Sequence, residues 1–389
     1  MRRLPKLERN VFYLGLVSLF TDFSTEMIYP LLPLFLSVTL GVDKAFIGVI
    51  EGVAESAASI LKVFSGWLSD RLQRRRLLVG IGYSLSTFAK PLFAISHSGV
   101  HVLAIRMTDR IGKGIRTAPR DALIADSSPT QQRGRSFGFH RAMDTLGAVF
   151  GPLTAFILLP LFGNDYRTIF WLSLVPGIVA VLIILFLVRE RKASASVKTE
   201  ELTSRLLPRD FKVFVIIAAI FTLGNSSDAF LILRAQSLGI ALGLIPLLWM
   251  FFNVIYSSTS IPGGMLSDRI GRRRTIVLAL LVYSLIYFGF ANAGRALHIW
   301  MLFGAYGLYY GLSEGVMRAY VADLVSVQFR ATAYGVFHTA VGVAAFPASI
   351  IMGALWQFKG ARIAFSFGAA LALAAALLFL TLFRKKEEG

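Results

Sequence analysis

The sequence predicts an all-α membrane protein: twelve transmembrane helices arranged as two similar six-helix halves. Three observations lead there. The 389 residues are 56% hydrophobic and only 16% charged, with a mean hydropathy of +0.66, whereas soluble domains carry about a quarter charged residues. The apolar residues fall into runs near the ~20 that cross a ~30 Å hydrocarbon core. A sequence motif also occurs twice, once in each half of the chain.

The first apolar run, near 11–38, follows MRRLPKLERN. It is too long for the core of a cleaved leader, contains Asp22 and Glu26, and lacks a small-residue cleavage site, so it reads as a retained first helix. Spans follow near 46–68, carrying Glu51, Glu55 and Lys62, and near 77–97, carrying Lys90. The fourth, near 100–126, is the weakest by hydropathy because it is full of charge. The fifth, near 134–160, contains His140, Arg141 and Asp144, and the sixth lies near 166–188. The polar stretch 189–210 reads as a strap between two bundles, 1–188 and 211–389. The second half repeats the pattern near 211–236, 243–267, 275–293, 297–323, 331–358 and 361–383.

Charge placement sets the expected orientation. Arg71, Arg74–Arg76, Arg133, Arg135, Arg189, Arg269, Arg272–Arg274, Arg330 and both chain ends fall on one side of a twelve-span topology. The opposite loops hold only Lys44, Arg167, Arg295, Lys359 and Arg362. Basic loops stay in the cytoplasm, so both termini and the strap are expected there, in a plasma (inner) membrane. The net charge of +18 is thereby read as topology and attraction to anionic lipid, not as a nucleic-acid surface. The absence of cysteine excludes disulfides and thiol chemistry. No Walker loop, GxSxG or HExxH pattern is present, so neither an enzyme nor a nucleotide-driven pump is expected, and no cofactor.

Gly66-Trp-Leu-Ser-Asp70-Arg71 returns as Gly264-Met-Leu-Ser-Asp268-Arg269, each followed by three arginines. Ala125-Asp126 precedes Arg133 as Ala322-Asp323 precedes Arg330. Two markers in one order mean two halves of common origin, and repeat-built transporters place their solute site near the midplane between repeats.

These paired loops resemble the signature between helices 2 and 3 of the major facilitator superfamily. The second copy, with Gly271, matches closely; the first has Gln73 at that position. Gly147-xxx-Gly151-Pro152 in helix 5 resembles the motif of proton-driven exporters in that superfamily, and Arg106 resembles its helix-4 arginine implicated in proton coupling. The resemblance implies alternating access, with helices 1, 4, 7 and 10 lining a central cavity.

The membrane-depth charges fall largely on those four helices, and an ionisable group in a span is a functional candidate by default. Asp22 and Glu26 are four apart and share a face with Tyr29. Two such carboxylates compete for one proton, which makes them proton-coupling candidates together with Arg106, Asp109, His140 and Asp144. Asp109, Lys113, Arg116 and Arg120 form a stripe along helix 4. That stripe is either a funnel for an anionic solute or a charge network with Asp126, Asp144 and Asp70 that closes an inner gate. Tyr29, Glu55, Lys113, Arg116, Asn225, Asp228, Glu314 and Arg318 are the cavity candidates. Gly66, Asp70, Arg71, Asp126, Arg133, Gly264, Asp268, Arg269, Asp323 and Arg330 are the gating candidates, with Asp126 expected to pair with Arg71 or Arg133, and Asp323 with Arg269 or Arg330. Asp22, Glu26, His140 and Asp144 would suit a divalent ion only if they converged, and no metal site is expected.

The function expected is secondary active transport of a small solute by a monomer in the bilayer, as proton-coupled export of an organic molecule or drug. The alternative is proton-coupled import or exchange of an anionic metabolite or metal chelate. Lipid flipping on the same fold is a remoter possibility.

Overall fold

The computed structural model describes residues 8–72, 74–129, 133–190, 207–326 and 330–384. Gln73, most of the strap and both charged chain ends lie outside the described residues, as do the side chains of Asp70, Arg133 and Arg330. Among the described residues the regular structure is all helix, in twelve long segments beside short helical turns at Leu32–Leu34, Phe35–Thr39, Lys90–Ile95 and Leu242–Leu244: α1 Arg9–Ile28, α2 Lys44–Leu72, α3 Arg75–Ala89, α4 Gly99–Asp126, α5 Arg133–Leu161, and α6, Tyr166–Leu172 continuing as Leu174–Phe186. The second set is α7 (Arg209–Gly224 and Ala229–Ser237), α8 Ile245–Ile270, α9 Arg272–Asn292, α10 Ala296–Asp323, α11 Arg330–Lys359 and α12 Ala361–Arg384.

Nine of these, some with short extensions, are long and apolar enough to cross a membrane. The other three, α2, α4 and α10, have 28 or 29 residues, about 42 Å at 1.5 Å per residue. Their length suffices and their polar residues lower their hydropathy.

Local chemistry starts several helices where the sequence allows. The Asp43 carboxylate accepts from Phe46 N at 2.7 Å ahead of α2. Ser98 caps α4 by accepting from His101 N. Asp165 caps α6, accepting from the backbone of Arg167 and Thr168 and from the Thr168 hydroxyl at 2.7 Å. Burial raises the Asp165 carboxyl slightly, but these three donors outweigh it and hold the group below the usual carboxylate range. Gly271, at φ +91°, ends α8 and opens α9 in a backbone conformation that a side chain would strain.

The described chain divides into two compact units. One contains the residues up to Leu32 and from Ala57 to Glu190; the other contains Pro33–Ser56 and the residues from Leu207 onward. Within the first, α1 packs on α5 and α3 on α4 and α6. Within the second, α7 packs on α11, α8 on α10 and α9 on α12. Pairings α1–α5 and α3–α6 thus return as α7–α11 and α9–α12, the repeat that the loop motifs announce. The opening turns of α2 belong to the second unit: Ser56 donates to the Gly342 carbonyl at 2.7 Å and Lys44 N to Gln357 at 3.2 Å.

Candidate functional site

The first unit holds a buried charge cluster on α1, α3, α4 and α5. Glycines set its geometry. A Cβ added at Gly147 would stand 2.5 Å from the Leu19 carbonyl oxygen and 2.9 Å from Asp22 Cβ. One at Gly151 would stand 2.7 Å from Glu26 Cβ and from the Phe23 carbonyl. The Gly147-xxx-Gly151 motif is therefore the α1–α5 crossing, and it sets the Cβ atoms of both helix-1 acids close against α5. On the other side, a Cβ at Gly112 of α4 would meet the Gly82 carbonyl of α3 at 2.6 Å. Close backbones of this kind are how helices pack in a bilayer.

The α4 charges are partnered within this unit. Asp109 Oδ2 lies 3.9 Å from both Arg106 and Arg110, and the Arg106 guanidinium sits 5.6 Å from the centre of the Tyr29 ring. Lys90 of the helix-3 segment, only 2% exposed, donates to Thr25 Oγ1 at 3.2 Å and feels Asp109 and Asp22 as its main negative charges. Arg116, 6% exposed, stacks on Tyr83 with its guanidinium carbon 4.2 Å from the ring centre. Its Nε and one Nη are buried without a hydrogen-bond partner among the described residues. The charges acting on Asp22 are those of Asp144, Arg116, Glu26 and Lys113. Asp22, Glu26, Asp109, Lys113, Arg116 and Asp144 are thus brought into one electrostatic neighbourhood.

Asp144 ties α5 to α1 by accepting from the Ser18 hydroxyl. It lies 3.7 Å from His140 Nδ1 and 3.9 Å from Arg141. His140 is buried with Nε2 unpartnered among the described residues. Its repeat counterpart His338 is exposed beside the Phe337 and Tyr334 rings, so the two histidines do not serve equivalent roles. Arg120 is engaged by its neighbour Asp121 at 2.8 Å. Among the described residues no three His, Asp or Glu side chains converge as a metal site.

The second unit carries a different chemistry. Helix α7 breaks at Asn225–Asp228, where Asn225 Oδ1 accepts from Tyr283 at 3.1 Å and Asp228 accepts from Tyr306 at 2.6 Å. Ser227 at the break donates to Glu51 Oε2 at 3.2 Å. On α10, Glu314 accepts from the Tyr256 hydroxyl and from Arg318. Phe252, Tyr256, Tyr306 and Tyr310 pack ring against ring around these carboxylates. Glu55 of α2 is half-buried and falls in this unit.

Among the described residues, the gating candidates Asp126 and Asp323 pair with Arg75 and Arg272. In each half this partner is the first residue of the helix before the acid's own, Arg75 opening α3 and Arg272 opening α9. The physical reason is reach: that arginine starts the helix packed against the acid's own helix. Arg71 instead lies over the Trp67 ring at 5.5 Å. Asp268 and Arg269 are exposed. Gly66 and Gly264 are not forced by packing, since an added Cβ would meet Ala118 at an ordinary 3.5 Å or nothing within 4 Å. Asp70, Arg133 and Arg330 fall outside the described side chains.

Residues 14–234 and 213–389 each match the family described as Major Facilitator Superfamily. The chain belongs to the major facilitator superfamily. An uncharacterized MFS-type transporter of Methanocaldococcus jannaschii is 37% identical over 382 residues, covering 96% of this chain and 95% of the relative. The quinolone resistance protein NorA of Staphylococcus aureus is 26% identical over 205 residues, 52% of each chain. Among solved structures, the nucleoside transporter NupG (D323A mutant) superposes with a TM-score of 0.82 at 15% identity, covering 96% of this chain and 99% of that one. A bacterial homologue of the human lysosomal transporter Spinster gives 0.76 at 16% identity, covering 97% of each. This protein is a membrane transporter of the MFS type, and that family is not enzymatic.

Beyond the superfamily signatures, three features escaped the sequence reading. Lys90 was noted but not counted in the site. The α7 break was legible in Asn225-Ser-Ser-Asp228, a run of residues that favours caps over helix interiors. The tyrosine cluster was hidden among 12 tyrosines and 32 phenylalanines.

Proposed function

We propose that this chain is a proton-coupled secondary transporter, working by alternating access, whose solute carries an anionic group. This puts the reading that stood second on sequence alone in front. The observation that carries it is Arg116: a buried guanidinium, stacked on Tyr83, whose Nε and one Nη find no hydrogen-bond partner among the described residues. A planar, preoriented guanidinium matches carboxylate or phosphate bidentately, and a solute anion would supply the acceptors Arg116 lacks. Asp22, which feels Arg116 and Asp144 together, is the proposed proton carrier, with Glu26 beside it. An arriving anion draws on Arg116 and releases Asp22 to take a proton, so solute and proton occupancy are linked. Both termini lie in the cytoplasm of a plasma membrane in this reading, and the gates include Arg75–Asp126 and Arg272–Asp323.

Export of an organic molecule or drug is the second reading. It is favoured by the NorA likeness over half the chain and by Gly147-xxx-Gly151-Pro152.

The test is a thermal-shift panel of organic anions, lipophilic cations and neutral solutes on purified protein at acid and neutral pH. Hits are then followed as pH-gradient-driven flux in proteoliposomes. Anions are expected to stabilise, Arg116→Gln to remove that effect while Arg116→Lys keeps part of it, and Asp22→Asn to uncouple flux from the gradient. Stabilisation by cations alone would replace the anion reading with export of cationic organics. Full gradient-driven flux in both Asp22→Asn and Glu26→Gln would sink the proton assignment.

A further inference from the structure

The first unit has an outer groove that the transport reading does not use. It runs between α3 and α6, with a volume of about 840 Å³, and its floor and walls are Leu77, Gly80, Ile81, Phe88, Ile184 and Leu185. Leu77, Ile81, Phe88 and Leu185 are 40–60% exposed at their outer edges, which suits them to lipid chains. From Arg74 to Phe88 the groove follows α3 for about 21 Å at 1.5 Å per residue, more than the ~15 Å depth of one leaflet's hydrocarbon.

Its charged end is unlike the rest. Arg74 and Arg76 stand at its mouth. Arg76 is held in place, its guanidinium donating to the Leu185 carbonyl and its backbone N–H to Glu190 Oε2 at 2.9 Å. Arg189, exposed, precedes Glu190. One lining carboxylate thus stands against two lining arginines and the positive end of the 15-residue helix α3. An apolar channel of acyl-chain length capped by excess positive charge at headgroup depth has one matching occupant chemistry.

We propose that this groove is a binding site for an anionic phospholipid, one acyl chain along Gly80 and Ile81 and the phosphate between Arg74 and Arg76. Gly80 keeps the floor open: an added Cβ there meets only Ile184, at an ordinary 3.7 Å, so the glycine is needed for space and not for folding. The site is independent of the solute and of the proton assignment.

The experiment is native mass spectrometry of the full chain titrated with an equimolar mixture of dioleoyl-phosphatidylglycerol and dioleoyl-phosphatidylcholine. Wild type is expected to retain phosphatidylglycerol preferentially. Arg74→Gln is expected to cut that preference about fivefold, the factor for roughly 1 kcal/mol per basic residue at an anionic surface. Gly80→Leu fills the channel without touching charge, so it is expected to reduce retention of phosphatidylglycerol while the lipid-free melting temperature holds. Arg274→Gln, which removes an exposed arginine from the corresponding loop of the second unit, is expected to change nothing. Equal retention of both lipids by wild type overturns the proposal. So does an Arg274→Gln effect as large as that of Arg74→Gln, which would make the preference one of general surface charge. Wild-type retention in Gly80→Leu would place the lipid elsewhere.

Discussion

Replacing Gly147 or Gly151 by alanine tests whether the exporter-like motif acts through packing. An ordinary carbon–oxygen contact begins near 3.4 Å, whereas the new Cβ at Gly147 would stand 2.5 Å from a backbone carbonyl. The helices must therefore part by about 0.9 Å, because a backbone oxygen in a helix cannot rotate away. At Gly151 the shortfall against Glu26 Cβ and the Phe23 carbonyl, both at 2.7 Å, is about 0.7 Å. Overpacking of this kind costs roughly 1–3 kcal/mol. Alanine also returns ~1 kcal/mol of helix propensity, so the raw effect understates the clash. Gly138 on the same helix provides the correction: it has open space around it, and Gly138→Ala keeps the propensity gain alone. The quantity to read is the melting-temperature difference between Gly147→Ala or Gly151→Ala and Gly138→Ala in detergent. At roughly 2–4 °C per kcal/mol for a unit of this size, both motif variants are expected at least 2 °C below Gly138→Ala. If all three melt together, the α1–α5 crossing is looser than described, and the motif's role must be sought elsewhere.

The two helix-end ion pairs should differ in worth. Arg75 and Asp126 are 9% and 16% exposed, Arg272 and Asp323 33% and 47%. Asp126→Asn removes the acid from a largely buried ion pair and is expected to cost more than Asp323→Asn, whose pair is half in water and is expected to cost under ~1 kcal/mol; denaturation of the two variants side by side checks the order. Asp165→Ala removes the α6 cap and is expected to cost about 1 kcal/mol at neutral pH. Because the folded Asp165 carboxyl lies below its unfolded value, its contribution is present above pH ~4 and is lost as pH falls through the folded value. The gap between wild type and Asp165→Ala should therefore close in melts taken from pH 6 down to pH 3.

Much of the fold was legible because a bilayer enforces one pattern. Nine segments announce themselves by length and apolarity. The others, α2, α4 and α10, were placed as spans near 46–68, 100–126 and 297–323, of which the charge-rich 100–126 was the weakest by hydropathy. The expectation that spans run near 77–97 and 211–236 missed local breaks. The third segment tightens into a 3₁₀ stretch at Lys90–Ile95, and α7 opens at Asn225. Hydropathy averages over such features, since a break of four residues hardly changes the mean over eighteen.

Pairings within a helix were legible in the sequence and pairings between helices were not, and the reason is geometric. Helical spacing assigns neighbours within a helix, so His140 with Asp144 and Glu314 with Arg318 could be read from i, i+4 positions, and both pairs are present. Contacts between helices depend on axial register, which a one-residue shift alters. The arginine triplets show it. Counting from Asp70 and Asp268, Arg74 and Arg272 are equivalent, yet Arg75 is the partner in the first half and Arg272 in the second. Gly271 takes a positive φ, so α9 starts at the first arginine of its triplet, whereas α3 starts at the second.

That one-residue offset also bears on how the two halves differ chemically. With its arginine largely buried and its acid only 16% exposed, the Arg75–Asp126 pair is costly to open, because charges poorly reached by water lose each other's compensation. Arg272–Asp323, already half in water, opens at little cost. If both pairs belong to gates, they are unequal ones, and the first unit should dominate the energy needed to move between states. The buried cation-rich cluster lies in that same unit, on the helix that ends at Asp126. A change of charge at Arg116 is therefore placed to act along α4 on the more buried of the two pairs, while in the second unit Asp228 accepts from the neutral Tyr306 hydroxyl and Glu314 from both Tyr256 and Arg318.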